Sequence, residues 1–81
     1  MIVQLTRRAE KELEALAPIV RAKVWKHIHT LETFPYPKGS VKLKGSGDIY
    51  RIRVGNYRIL YIPNKNKISV MRIRHRKDVY R

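Results

Sequence analysis

The sequence predicts an α+β fold, in which a short N-terminal strand and a helical hairpin precede an antiparallel β-sheet. In residues 7–31, apolar residues recur at the spacings of three and four that are typical of helices. From residue 41 onward they alternate with polar residues, as they do in strands. Prolines and a glycine within residues 34–40 predict a loop between the two regions. Because 81 residues leave room for one hydrophobic core, we expect residues 1–81 to form a single domain.

The predicted first strand covers residues 1–5, which alternate weakly between apolar and polar side chains. Thr6 is a suitable N-cap for the first helix, because its hydroxyl can accept a hydrogen bond from the first free amides. The apolar stripe of this helix consists of Ala9, Leu13 and Leu16. Pro18 breaks the chain and suits the first turn of a second helix. The second stripe consists of Val20, Val24, Ile28 and Leu31, with Trp25 expected to pack beside it.

Four strands are predicted after the loop, over residues 41–44, 50–54, 57–62 and 67–74. Short turns connect them, so neighbouring strands should run antiparallel. The tail, residues 76–81, is too short to assign.

The Gly55-Asn56 pair predicts a two-residue hairpin turn, and a turn of that length fixes the strand register. Arg53 then lies opposite Arg58, and strand alternation places Arg51 on the same face. The opposite face, directed at the helices, carries Ile52, Val54, Tyr57 and Ile59. Two arginines directly across a strand pair repel each other, so a bound anion is the favoured explanation. The alternative is that the long side chains splay into solvent, where salt screens the repulsion.

The next turn lies within residues 63–66 and is expected to form a three-residue loop with Asn66 in the left-handed region. This register puts Arg72 opposite Arg58 and leaves Arg74 on the same face. A four-residue loop would send Arg72 and Arg74 to the helix side, where unpaired arginines are too costly to bury. The predicted cationic face therefore gathers Arg51, Arg53, Arg58, Arg72 and Arg74, with His75 and Tyr80 nearby.

The charge of the chain points to a polyanionic partner. There are 19 Lys and Arg against 6 Asp and Glu, a net charge of +13, and residues 51–81 carry ten of the basic residues but only one acidic residue. The chain has no cysteine, and its N-terminal apolar stretch is too short for a signal peptide or a membrane span, so we expect a cytoplasmic protein. Three histidines without a carboxylate cluster predict no metal, and no other cofactor is expected.

Three segments resemble the RelE/ParE toxin superfamily, and within it the RelE-like mRNA interferase branch. They are KLKG at 42–45, YRIRVGNYRILY at 50–61 and HRKDVYR at 75–81. The leading strand and the helical hairpin fit as well, so the resemblance covers nearly the whole chain. It implies a βααβββ fold and a type II toxin that cleaves mRNA in the A site of the 30S ribosomal subunit without a metal. It also implies a cognate RelB-like antitoxin.

The resemblance assigns roles to individual residues. Arg58 falls where the family has an arginine on the scissile phosphate, Arg74 on a second functional arginine, and Tyr80 on a C-terminal tyrosine beside the reacting nucleotide. Arg51 and Arg53 fall on positions that some members fill with lysine. Because arginine keeps its proton in proteins, these two residues are expected to bind phosphate rather than act as a base.

The general base is left open by the sequence. His75 is one candidate, because surrounding cations favour its neutral form, and Tyr80 is another, because the same field favours phenolate. Arg72 and Lys44 complete the set of expected phosphate-binding residues.

Two other functions account for part of the pattern. A ParE-like inhibitor of DNA gyrase shares the fold, although Arg58, Arg74 and Tyr80 favour the RelE branch. A non-enzymatic RNA-binding or ribosomal protein explains the net charge but not the gathering of arginines on one face. An inactive member of the superfamily is a third possibility, because no base is assigned.

Overall fold

The computed structural model describes residues 1–45 and 47–79. Its elements are β1 (Ile2–Leu5), α1 (Arg7–Glu14), α2 (Pro18–Thr30), β2 (Val41–Lys42), β3 (Tyr50–Val54), β4 (Tyr57–Asn64), β5 (Lys67–His75) and α3 (Arg76–Val79). The predicted α+β class is confirmed, as are the order of strand, helical hairpin and sheet and the N-cap at Thr6, whose hydroxyl accepts from the Ala9 amide. The tail that the sequence left unassigned begins with the short helix α3. No helix in the described part of the chain is long and apolar enough to cross a membrane.

The strands form one sheet in the order β1-β5-β4-β3-β2. The strands β2 to β5 pair antiparallel, as the short turns predict. The first strand differs, because β1 runs parallel to β5, from Ile2 opposite Lys67 to Leu5 opposite Val70. The sheet is therefore mixed. Almost the whole chain separates β1 from β5, so no local turn in the sequence indicates this pairing.

The core lies between the helices and one face of the sheet. Its buried members are Ala9, Val24, Ile28, Leu31, Ile52, Val54, Ile59, Tyr61, Ile68, Val70 and Ile73. The predicted register of the Gly55-Asn56 hairpin is confirmed, and it is this register that sends Ile52 and Ile59 together into the core. Trp25, which was expected to pack beside the second stripe, is 49% exposed, and its ring stacks on that of His29 with centroids 6.2 Å apart.

The turn between β4 and β5 is shorter than predicted. Asn64 pairs with Lys67, which leaves a two-residue turn, and no described residue other than glycine has a positive φ. The three-residue loop and the left-handed Asn66 are therefore wrong. In a regular ladder this turn would put both Arg72 and Arg74 on the helix side, because each would lie opposite a helix-facing residue of β4.

A β-bulge in β5 reverses that outcome. Leu60 pairs with Arg72 but the next residue, Tyr61, pairs with Val70, so Met71 is the extra residue. The bulge shifts the alternation by one position and turns Arg72 and Arg74 to the face that carries Arg58. The predicted pairing of Arg72 with Arg58 is thus wrong, although the predicted face is right: Arg74 lies opposite Arg58.

Thr6 and helix α1 contact β5 at and after this bulge, along the edge of β5 that faces β1. The Thr6 amide donates to the Val70 carbonyl at 3.0 Å, and the Thr6 hydroxyl donates to the Met71 carbonyl at 3.0 Å. Two residues further along β5, the Ile73 amide donates to Glu12 Oε1 at 2.9 Å. Backbone groups of β5 beyond the end of β1 thereby find partners on α1, which satisfies groups that would otherwise lack a strand neighbour.

Glu12 also binds a side chain of β5. Arg72 Nε lies 3.1 Å from Oε1 and Arg72 Nη2 lies 2.9 Å from Oε2, a two-point contact between partly buried groups. Burial by itself raises the pKa of Glu12. The hydrogen bonds from Arg72 and the Ile73 amide, together with the charges of Arg72 and Arg8, outweigh burial and lower that pKa below its usual range.

Replacing Thr6 with valine removes the hydroxyl that both caps α1 and binds Met71 while keeping the shape of the side chain. We expect Thr6→Val to lower the free energy of unfolding by about 1–2 kcal/mol in urea denaturation. Thr6→Ser, which keeps the hydroxyl, should lower the free energy of unfolding much less. Equal losses in the two variants would mean that the hydroxyl does not hold the bulge.

Replacing Glu12 with alanine leaves Arg72 and the Ile73 amide without their partner, so we expect a loss of about 2 kcal/mol at pH 7. Because the folded-state pKa of Glu12 is lowered, the ion pair stabilises the fold fully above the unfolded-state pKa of about 4.3 and is lost as the pH falls through the folded-state value. The gap between wild type and Glu12→Ala should therefore narrow in denaturation curves taken in acid. Glu14→Ala, at an exposed position of the same helix, is the control. If both variants lost the same free energy of unfolding and neither loss depended on pH, the role of the Glu12 ion pair would be contradicted.

Candidate functional site

Three arginines lie side by side across the sheet on the face away from the helices. Arg53 of β3 pairs with Arg58 of β4, and Arg58 pairs with Arg74 of β5. Direct neighbours in a sheet have Cβ atoms about 5 Å apart, so three like charges occupy adjacent positions. We call Arg53, Arg58 and Arg74 the arginine row. Like charges at neighbouring positions of a sheet repel, and an anion bound between them would offset that repulsion.

The turn beside the arginine row sets its register. Gly55 has φ +59°, the positive value that a tight hairpin turn with a glycine at its first central position uses. An added side chain at Gly55 would meet nothing within 4 Å, so the backbone conformation and not space favours glycine there. The turn thereby determines which residues of β3 and β4 lie opposite each other.

A second row lies one step along the sheet, where Arg51, Leu60 and Arg72 are neighbours. The predicted gathering of five arginines on one sheet face is therefore found in the structure. The guanidinium of Arg72 is held by the carboxylate of Glu12. This ion pair joins β5 to α1, and the predicted phosphate-binding role of Arg72 stays a prediction.

His75 does not share the arginine face. It pairs with Tyr57, and the two rings meet edge to face with centroids 5.0 Å apart at an angle of 87°. Its Nδ1 accepts a hydrogen bond from the Lys77 amide at 3.1 Å. In the neutral ring the proton then sits on Nε2, so neither nitrogen keeps a lone pair for a general base. This arrangement does not support the predicted role of His75 as base.

The remaining predicted residues lie elsewhere. Lys44 is exposed in the turn after β2, at the opposite end of β3 from Arg53. Tyr80 lies outside the described residues. Among residues 1–45 and 47–79, no three histidine, aspartate or glutamate side chains come together as a metal site would require.

The structure adds Arg76, which sequence reasoning missed. Its amide donates to the Asn56 carbonyl at 2.6 Å, so the start of α3 returns to the β3–β4 turn. There Arg76 lines a small cleft of about 50 Å³ together with Arg53 and Arg58. The signal in the sequence was the cluster of cations directly after the last strand. The position of Arg76, however, depends on how the chain after β5 turns back to the β3–β4 turn.

Comparison with known proteins gives consistent results. Residues 3–80 match the family model of the ParE toxin of type II toxin-antitoxin system, parDE. The protein described as putative toxin RelE1 of Methanocaldococcus jannaschii is 33% identical over 84 aligned positions, which cover 98% of this chain and 93% of that protein.

Solved structures agree with the fold. The toxin in the RelB-RelE antitoxin-toxin complex from Methanococcus jannaschii superposes with a TM-score of 0.79 at 29% identity, covering 94% of this chain and 93% of that one. The toxin in the archaeal RelE-RelB complex from Pyrococcus horikoshii gives a TM-score of 0.81 at 28% identity, covering 93% of each chain. The chain belongs to the RelE/ParE superfamily of type II toxin–antitoxin toxins.

Proposed function

We propose that this toxin is an endoribonuclease that cleaves mRNA in the A site of the ribosome. The observation that carries the proposal is the arginine row, which concentrates positive charge on one sheet face. The similarity to relatives named RelE supports this activity over other activities of the superfamily. Because translating ribosomes lie in the cytoplasm, the toxin would act in the cytoplasm.

The proposed reaction is an attack by a ribose 2′-hydroxyl on the adjacent phosphate. The 2′-oxygen forms a bond to phosphorus as the bond to the 5′-oxygen breaks, which yields a 2′,3′-cyclic phosphate and a 5′-hydroxyl. The 2′-proton leaves to a base, and the departing 5′-oxygen takes up a proton. Negative charge on the phosphoryl oxygens grows in the transition state, and a preorganised donor aimed at it contributes about 3–4 kcal/mol.

The positions of the arginines suggest a division of roles. Arg58 occupies the centre of the arginine row, and Arg74 is its neighbour, so these two would hold the charge on the reacting phosphate. Arg51 and Arg53 on β3, with Arg76 at the cleft, would position the flanking backbone. Lys44, at the far end of β3, would contact a more distant phosphate. Basic side chains supply all of this charge, and the proposed reaction needs no metal or other cofactor.

Tyr80 is our candidate for the general base. Arginine does not release its proton, and the Nδ1 lone pair of His75 is taken by the Lys77 amide. Cations surrounding a phenol favour its ionised form. The proposal for Tyr80 rests on its place in the RelE-like tail segment HRKDVYR.

We further propose that a RelB-like antitoxin binds this toxin. The solved relatives from Methanococcus jannaschii and Pyrococcus horikoshii are RelB–RelE complexes. A chain of net charge +13 calls for an acidic or amphipathic partner, whose apolar helix would lie in a groove of the toxin. Such a partner would oppose the binding of RNA.

One observation favours a second candidate, inhibition of DNA gyrase, because the matching family model is that of the ParE toxin. Cells that express the toxin distinguish the two functions. Cuts in phase with codons, mapped by primer extension on a translated message, support mRNA cleavage. Intact messages accompanied by DNA breaks would support gyrase inhibition instead.

Arg58→Ala and Arg74→Ala should each reduce cleavage on programmed ribosomes by about 100- to 1,000-fold, because each removes one group that stabilises the transition-state charge. The circular dichroism spectrum should not change, since both side chains lie outside the core. Lys65→Ala, in the exposed β4–β5 turn, is the control of equal charge change and should cleave like the wild type. Wild-type cleavage by both arginine variants would remove the catalytic assignment.

His75→Asn separates a structural role from a catalytic one, because the asparagine Oδ1 can replace Nδ1 as acceptor for the Lys77 amide. We expect cleavage within about tenfold of wild type, since general acid–base catalysis typically contributes 100-fold or more. A loss well beyond 100-fold, with unchanged binding of RNA, would restore His75 to the reaction.

A further inference from the structure

We propose that a second cationic surface, which we call the α2 groove, binds the RNA backbone next to the reacting phosphate. It lies between α2, the loop before β2 and the edge of β3. Its basic lining residues are Lys23, Lys26, His27, Lys38 and Arg53. The inference rests on the proposed function, because it extends the same RNA-binding site beyond the arginine row.

The α2 groove is continuous with the arginine row. One of its two hollows, of about 670 Å³, lies between Lys26 and Lys38, and the other, of about 400 Å³, extends from Lys23 to the β3–β4 turn. Both hollows are lined by His27 and Arg53. The second hollow shares Arg53 and the turn residues with the small cleft that holds Arg58 and Arg76. A strand bound on the row can therefore pass around the turn into the groove without leaving a cationic surface.

The open edge of β3 explains why Arg53 reaches both surfaces. In the described residues, β2 pairs only with Tyr50 and Arg51, so no strand covers the remaining edge of β3. Arg53 belongs to the arginine row by its register and, at this edge, also lines the α2 groove. It is the residue at which the two surfaces join.

The charge of the groove is of one sign. The chain has six acidic residues, yet among the described residues that line the two hollows none is acidic. Lys23 lies three residues from Lys26, a spacing at which like charges weaken a helix. Neither burial nor an ion pair explains this arrangement, since both lysines are exposed. A bound anion would offset the repulsion, by the same reasoning as for the arginine row.

His27 is already oriented within the groove. Its Nδ1 lies 2.9 Å from the Lys23 carbonyl, so Nδ1 carries a proton and donates it to that oxygen. The other ring nitrogen, Nε2, can donate to a phosphate oxygen only when both ring nitrogens carry a proton. The lining has few aromatic rings on which bases could stack, and its lysines are flexible point charges. Contacts of this type bind phosphates and read no sequence.

The test compares two double variants that remove the same charge. Lys26→Gln/Lys38→Gln changes exposed residues of the groove, and Lys11→Gln/Lys65→Gln changes exposed residues outside it. Their binding to a labelled 12-nucleotide RNA, protected from cleavage by 2′-O-methyl ribose, is measured by fluorescence anisotropy at several salt concentrations. A trinucleotide of the same chemistry, short enough for the arginine row alone, serves as the second probe.

We expect the groove variant to bind the 12-mer about tenfold more weakly than the wild type at low salt. The slope of log affinity against log salt should fall by about 1.4, because two single-strand phosphate contacts are lost. Its binding to the trinucleotide should match that of the wild type, and the control variant should keep the wild-type slope. Equal losses in the two double variants would overturn the inference, as would a wild type that binds both RNAs equally well.

The α2 groove and the proposed mRNA cleavage can fail independently, because binding of the 2′-O-methyl RNA is measured without cleavage. Codon-phased cleavage by the groove variant together with wild-type affinity for the 12-mer would refute the α2 groove alone. Weakened binding of the variant to an acidic antitoxin, with unchanged binding to RNA, would also refute it and would assign the groove to the antitoxin.

Discussion

The bulge at Met71 is the constraint on which the functional face depends. The two-residue turn at one end of β4 and the hairpin register of β3 and β4 at its other end would otherwise leave Arg72 and Arg74 directed at the core. One extra residue resolves this conflict, since the side chains of a strand alternate with a period of two. Helix α1 contributes to the same outcome, because Thr6 and Glu12 bind β5 on both sides of the extra residue. Helix α1 and its N-cap therefore help to position β5.

Two arginines that look equivalent in the sequence have different neighbours in the fold. Arg72 meets a carboxylate that its own fold provides, whereas Arg74 is placed beside another arginine. The first arrangement is an ion pair, whereas the second brings two like charges to neighbouring positions. Local conflicts of this kind are expected where a protein is built for binding rather than for stability alone. The contrast separates the residues that hold the fold from those that the proposal assigns to RNA.

Much of the fold follows from local signals in the sequence. Gly55-Asn56 determines the register of β3 and β4, because a turn of two residues leaves no freedom in the pairing, and the capping residue Thr6 marks the start of α1. The parts that were not predicted depend on contacts between distant residues. They include the parallel pairing of β1, the bulge, the ion pair of Glu12 and the return of Arg76 to the turn. A bulge carries no composition signal of its own. The predicted three-residue loop gives Arg72 and Arg74 the correct face, but the structure reaches that face with a two-residue turn and a bulge.

The position of β5 in the sheet also has a consequence for synthesis of the chain. Although β5 is made last among the strands, it lies between β1 and β4, so the two ends of the sheet are joined only after residue 75 has been translated. Folding of such a topology is delayed until distant segments meet. The surface that includes Arg74 therefore does not exist in a partly translated chain.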